Sequence, residues 1–247
     1  MLRGVERYRR AGRRQRGRPL LPTVARVVGG ALAAAMVVRW LLLGTFGVQS
    51  AAMQPAIAPG DRVLTEQLSY GARWPWRRGR TPAVGAPQRG DLVVVEVPYY
   101  PRGTLRGVVD GLVRVVSFGA LSTLRLPDGA ALHPFAIKRL LGLPEDTIRV
   151  EDSVVFVRPV GSPDFLSEYE LLPELIATAV ALPEQWRRDF PFSGNEPEVT
   201  LGPGEYFVMS DDRSFAADSR SWGPLTSQAF VGRVFARYWP LSRISGM

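Results

Sequence analysis

Cysteine is absent from the 247 residues, histidine occurs once and lysine occurs once. Without cysteine there are no disulfides, thiolate metal sites or cysteine nucleophiles, and the redox compartment is left open. A Ser-His-Asp triad would have to use His133, which lies in the loop-like Leu132-His133-Pro134, so histidine-based catalysis has little support. Of the 31 basic residues, 30 are arginine and the exception is Lys138. Arginine keeps its proton in any protein setting, whereas a buried lysine can be driven towards neutrality and act as a base. The plainer alternative is a partly exposed cation beside Arg139, left over from arginine-biased composition. Lys138 sits in the apolar stretch Phe135-Ala136-Ile137-Lys138-Arg139-Leu140-Leu141-Gly142-Leu143-Pro144. Read as a strand, that stretch puts Lys138 on one face with Ala136 and Leu140.

A spread basic surface is also missing. Residues 1–26 hold nine arginines against Glu6, which accounts for the whole net charge of +8; the remaining 22 basic and 22 acidic residues cancel. The charge is a terminal tail, so nucleic acid is not an expected partner. After the tail an apolar run, 27–48, broken only by Arg39, is long enough to cross a ~30 Å hydrocarbon core. Arg39 would cost ~2.5–3.5 kcal/mol at a helix centre, but lying in the second half it can snorkel outwards beside Trp40. The positive-inside rule then predicts a cytoplasmic, arginine-rich tail (1–26), one transmembrane helix (27–48) in the cytoplasmic (inner) membrane and an extracytoplasmic domain (49–247). The bilayer is thus an expected partner. A cleaved signal peptide ending near Val48-Gln49-Ser50-Ala51-Ala52 is the competing reading. The run exceeds a usual signal core, which favours the uncleaved anchor.

Downstream the pattern is mainly β. Strands are expected at 62–66, 91–97, 135–143, 147–150, 153–158, 205–209 and 230–238, with Glu151-Asp152 as a hairpin turn and 71–90 as loop. Residues 104–121 read as an amphipathic helix, lying on lipid or packed on the core. Two stretches, about 99–133 and 160–203, look like insertions, the second with helix between Ser167 and Arg188. The expected fold is an antiparallel β domain with helical insertions, preceded by one N-terminal transmembrane helix.

Four segments in order carry a resemblance. They are Val48-Gln49-Ser50-Ala51-Ala52-Met53-Gln54-Pro55-Ala56-Ile57 with Gly60-Asp61; Arg89-Gly90-Asp91-Leu92-Val93-Val94; Ile137-Lys138-Arg139-Leu140-Leu141-Gly142-Leu143-Pro144-Glu145-Asp146; and Ser210-Asp211-Asp212-Arg213 through Asp218-Ser219-Arg220-Ser221-Trp222-Gly223. Together they resemble the bacterial type I signal peptidases, membrane-anchored serine proteases with a Ser-Lys dyad and no metal or cofactor. The resemblance makes Lys138 the general base and implies a signal-peptidase-like β fold. It implies a peptide groove formed with Gln49, Ser50, Ala51, Met53, Pro55 and Ile137. Asp218, Ser219 and Arg220 would shape the active-site end of the sheet, with Asp218 ion-paired to Arg220 or Arg213.

The departures are chemical. The family's nucleophilic serine falls at Ala52, and a methyl group cannot attack a carbonyl. The serine that orients the lysine falls at Ala216. Ala56 replaces a usual threonine, and Ser210 replaces a usual glycine. Ser50 matches a hydroxyl that helps bind the oxyanion. As a substitute nucleophile it would sit ~6.6 Å from position 52 in an extended segment, too far for attack without a shift. Two readings follow. One is an inactive signal peptidase-like protein of the export pathway that binds exported preproteins or an active relative. The other is an active signal peptidase using Ser50 and Lys138. With Lys138 and the flanking frame still present, Ala52→Ser together with Ala216→Ser is expected to recover some proteolysis.

Overall fold

The computed structural model describes residues 24–32, 43–71, 80–101, 103–116, 122–125, 132–178, 195–215 and 217–247. Residues 24–32 form a helix, α1, in a compact unit of their own, Met1–Trp40; its side chains are exposed. Among the described residues no helix is long and apolar enough to cross a membrane. The middle of the expected span, 33–42, lies outside the described residues. Its end requires a correction: Leu43–Gly47 is a strand, β1, paired antiparallel with β2 (Arg62–Glu66), and Val48 is buried in the core. Two glycines with Thr45 and Phe46 make a weak helix and a good strand.

The second unit, Leu41–Met247, is built from two antiparallel sheets. The remaining strands are β3 (Leu92–Glu96), β4 (Phe135–Gly142), β5 (Thr147–Glu151), β6 (Val154–Arg158), β7 (Leu166–Ser167), β8 (Glu196–Thr200), β9 (Glu205–Met209), β10 (Leu225–Thr226), β11 (Phe230–Trp239) and β12 (Ser245–Gly246). The large sheet runs β1-β2-β11-β3-β4-β9-β10, with β12 also on β11; the small sheet runs β7-β6-β5-β8. The expected strands are present within a residue or two of their expected ends. The tight turn after β5 is Asp152-Ser153, both at positive φ, rather than Glu151-Asp152. Residues 160–203 are not simply a helical insertion. They supply two strands of the small sheet and one short helix, α3 (Glu168–Leu171), opened by a capping box between Ser167 and Glu170. Residues 172–178 are not helical, which corrects that part of the expected helix; 179–194, which hold its remainder, lie outside the described residues.

Strand β4 separates the cores. Leu140 packs with Val93, Val95, Val208 and Phe230 on one side. Leu141 packs with Phe207, Met209 and the small-sheet residues Ile148, Val150, Val155 and Val157 on the other. A third cluster joins Met53 and Ile57 to Val63, Val94 and Ile137. β4 is therefore packed from both faces, the rigid setting a positioned side chain requires.

Helix α2 spans Leu105–Val116; the end of the expected helix, 117–121, lies outside the described residues. Four of its apolar residues do not pack on the core. Leu105, Val108, Val109 and Leu112 are exposed, while Asp110 is fully buried and accepts hydrogen bonds from Tyr100, Ser122, Thr123 and Leu124. The polar residue faces in and the apolar ones face out.

Candidate active site

The first motif forms a closed loop. Val48 N–H donates to Asp61 O, Gly60 N–H donates to Val48 O, and the buried Asp61 carboxylate takes Arg237 (3.3 Å) and Arg243 (3.1 Å). Inside the loop, Ala51–Met53 make one turn of 3-10 helix that lies against β4. The expected extended run through 50–52 is thus corrected: only Ser50 is extended, and its Oγ caps the turn, accepting from Ala52 N–H at 3.1 Å. A lone hydroxyl preceding a turn satisfies an otherwise orphaned donor. The consequence is chemical, because the Ser50 hydroxyl expected to help bind an oxyanion accepts a hydrogen bond from the N–H of Ala52.

Ala52 is 5% exposed, and its carbonyl accepts from Asp212 N–H at 3.0 Å. Met53 is buried and fills the core with Ile57 and Val63, and Ile137 packs on the same cluster. A neighbour of Ala52 and a neighbour of Lys138 thus belong to one cluster, and the turn bearing Ala52 lies against the strand bearing Lys138. Gln49, Ser50 and Pro55 are exposed, and Ala51 and Ala56 half-buried.

Lys138 is 3% exposed. Its Nζ donates to Ser210 Oγ at 2.8 Å and lies 5.7 Å from the Trp222 ring centre. Burial drives its pKa down from 10.5 to about 8; Asp218 opposes this, Arg220 adds to it and Asp211 opposes it. At pH 7 roughly one molecule in ten would hold the amine neutral. The expected burial of Lys138 on the Ala136–Leu140 face is what the structure has.

The carboxylates near the amine are engaged elsewhere. Asp218 takes Arg220 through Nε (2.9 Å) and Nη2 (2.8 Å), and it also accepts from the backbone N–H groups of Arg220 and Ser210. Burial alone would raise the Asp218 carboxyl, but Arg220 and the Lys138 charge outweigh it and hold it below the usual range. Asp211 is gripped by Arg139 in a fork of 2.7 and 2.6 Å, and Arg139 also donates to the carbonyl of Gly90. Gly90 stands at φ +95°, a conformation that favours glycine. Ser219 Oγ accepts from Val208 N–H at 2.9 Å, fastening the end of β9.

Of the two expected partners for Asp218, Arg220 is the one found. Arg213 pairs instead with Glu168 of α3, both within 1% of full burial. Burial pushes the Glu168 carboxyl up while Arg213 draws it down, with the net shift upward. Beyond α3, Thr178 N–H donates to Asp211 O and Thr178 O accepts from Arg213 N–H. The segment expected to be a peripheral insertion therefore braces the fourth motif. Glu168 was not singled out from the sequence; the capping box Ser167–Glu170 marks a helix start but carries no sign that the carboxylate between them is buried. Ser210 was read only as a departure from glycine. Ala216 lies outside the described residues.

Ser50 has no hydrogen bond to Lys138; its Oγ is spent on Ala52 N–H. Among the described residues there is no metal-binding cluster of acidic residues and histidine.

These features coincide with what the chain is similar to. A family model described as signal peptidase, peptidase S26, matches residues 21–239. Signal peptidase I of Pseudomonas aeruginosa is 27% identical over 252 residues, covering 93% of this chain and 77% of that one. The Pseudomonas fluorescens signal peptidase I is likewise 27% identical, over 92% and 76%. Thylakoidal processing peptidase 1 of Arabidopsis thaliana is 26% identical over 80% of this chain and 42% of its own. With most of its length matched and the motif residues gathered around Lys138, the chain belongs to the signal peptidase (peptidase S26) family.

Proposed function

We propose that this protein binds the cleavage region of exported preproteins in extended form and does not cut it. The observation that carries the reading is the replacement of the attacking oxygen by the Ala52 methyl, in a turn that still lies against the strand bearing the buried base. Without a nucleophile no acyl intermediate forms, whatever the state of the amine.

Binding has its own support. β9 joins β4 only from Arg139 onward, so at Ala136–Lys138 the ladder is made to β3 alone among the described residues. An edge of that kind accepts an added strand, with backbone hydrogen bonds giving affinity and side-chain pockets giving choice. The exposed Gln49 and Ser50 lie on the neighbouring motif loop. A membrane tether with the N-terminus in the cytoplasm is part of the same proposal. It is supported by the arginine-rich tail and the apolar run that follows it. An active relative is a second candidate partner, reached through the same edge.

The test is a preprotein incubated with the purified full chain in detergent. Retention of the uncut preprotein, competed by a peptide spanning its cleavage region, is expected. Turnover by the wild type that is lost in Lys138→Ala and in Ser50→Ala would establish the other reading, an active peptidase with Ser50 as nucleophile.

A further inference from the structure

We propose that Ser210 is the positioning residue of Lys138, supplying from position 210 the hydroxyl missing at position 216, so that the site lacks one oxygen and not two.

The register makes the placement inevitable. Arg139 stands opposite Met209 in the β4–β9 ladder; continuing that register puts Ser210 across from Lys138, where the backbones themselves no longer pair. Both side chains are buried, and Nζ meets Oγ at 2.8 Å. A glycine at 210 would offer the amine no side-chain acceptor. Among the described residues Ser210 is the one hydrogen-bond partner of the amine. Asp218 and Asp211, the carboxylates whose charge reaches it, are held by Arg220 and Arg139. The amine is thus aimed by a neutral group, which leaves it able to lose its proton; a direct carboxylate contact would hold it charged.

Ser210 is itself held on both sides. Its N–H donates to Asp218 Oδ2 at 3.0 Å, and its carbonyl accepts from Arg213 Nη1 at 2.9 Å. Arg213 is in turn anchored on Glu168. Such support is what a side chain needs to fix a base to within a fraction of an ångström. The substitutions at 210 and 216, separate departures in the sequence, become a single relocation of one hydroxyl.

The proposal deepens the reading of Lys138 as a base retained in a site that no longer cuts, and its test separates the two. Lys138 is the sole lysine. Lysine-selective 15N and 13C labelling of the full chain in detergent therefore gives one side-chain amine to titrate, with Asp218, Arg220 and Asp211 as the charges facing it. Ser210→Ala and Ser210→Gly (the family's usual residue, chosen in case the first misfolds) are expected to move the midpoint downwards, since the charged amine loses its acceptor. Ser210→Thr is expected to return it. In the second arm, Ala52→Ser alone is expected to gain preprotein cleavage. Adding Ala216→Ser should change that rate by no more than about twofold, and adding Ser210→Gly should cut it about a hundredfold, the scale of a misplaced catalytic group. A Lys138 titration unmoved by both Ser210 variants overturns the proposal, as does an Ala52→Ser protein that is inert until Ala216→Ser is added. If Ala52→Ser stays inert with or without Ala216→Ser, the titration alone decides. Cleavage by the wild type defeats the non-cutting reading and leaves the titration to decide the role of Ser210.

Discussion

The two ends of the site have fared differently. At the base end Lys138 is buried, aimed by Ser210 and framed by paired charges: Asp218 with Arg220, Asp211 with Arg139, Glu168 with Arg213. At the nucleophile end the turn over Ala51–Met53 keeps its place, but the oxygen is gone and the backbone donor of Ala52 is capped by Ser50. A buried, desolvated cation costs stability. On the reading proposed above, its retention would mean that a framework for proton transfer has outlasted the group it served.

The sharpest way to break this comparison is to return the oxygen and then remove the base. In an Ala52→Ser background, Lys138→Met is expected to abolish the regained cleavage, a loss of about 10²–10⁴-fold for a general base, measured by gel assay of a preprotein. Equal cleavage with and without the lysine would mean that the base end is inert too.

Next in size is the brace. Glu168→Gln should leave the buried Arg213 charge uncompensated and cost about 3–5 kcal/mol, read from denaturant unfolding in detergent. A loss below about 1 kcal/mol would show that Arg213 finds another partner.

Lys138→Met should have the opposite sign. The folded amine titrates at about 8 against 10.5 in the free side chain. Below pH 8 both states are protonated and the burial penalty is complete. Between pH 8 and 10.5 the unfolded chain binds more protons, so wild-type stability rises with pH through that window; above it the penalty is gone. The variant should therefore be more stable than wild type at pH 7, by up to about 3 kcal/mol. Its advantage should vanish by pH 10.5. A flat difference across that range would count against the buried amine.

The smallest effect is expected at the nucleophile end. Ser50→Ala removes an N-cap and should cost about 1 kcal/mol, with the titration of Lys138 unchanged. A moved titration would tie the two ends together more closely than the hydrogen bonds do.

How far these features could be read in advance depended on range. The long strands β2, β3, β4, β9 and β11 of the large sheet announced themselves through apolar runs and through Gly and Pro at their ends, and the burial of Lys138 followed from its strand neighbours Ala136 and Leu140; the two-residue β10 and β12 were too short to show. β1 did not announce itself either. Hydropathy counts apolar side chains and is blind to the partner strand with which Leu43–Gly47 pairs. β8 was hidden by its composition, Glu196-Pro197-Glu198-Val199-Thr200, which suits an edge strand exposed to water. Glu168 and Ser210 were invisible for the same reason. Their partners Arg213 and Lys138 lie 45 and 72 positions away, and only the packed sheet brings them together. The loss at Ala52 needed no structure, because an absent oxygen is a property of the residue alone.

Helix α2 has a practical consequence. Trimming the chain to residues 43–247 would remove the arginine-rich tail and most of the apolar run, yet four branched side chains, Leu105, Val108, Val109 and Leu112, would still stand in water, moored from beneath by Asp110. Such a fragment should clump in plain buffer and disperse in a mild surfactant. Leu112→Ser with Val108→Ser should make it behave as a monomer in sedimentation. Stickiness of this kind belongs to the folded domain itself, so shedding the leader would not cure it.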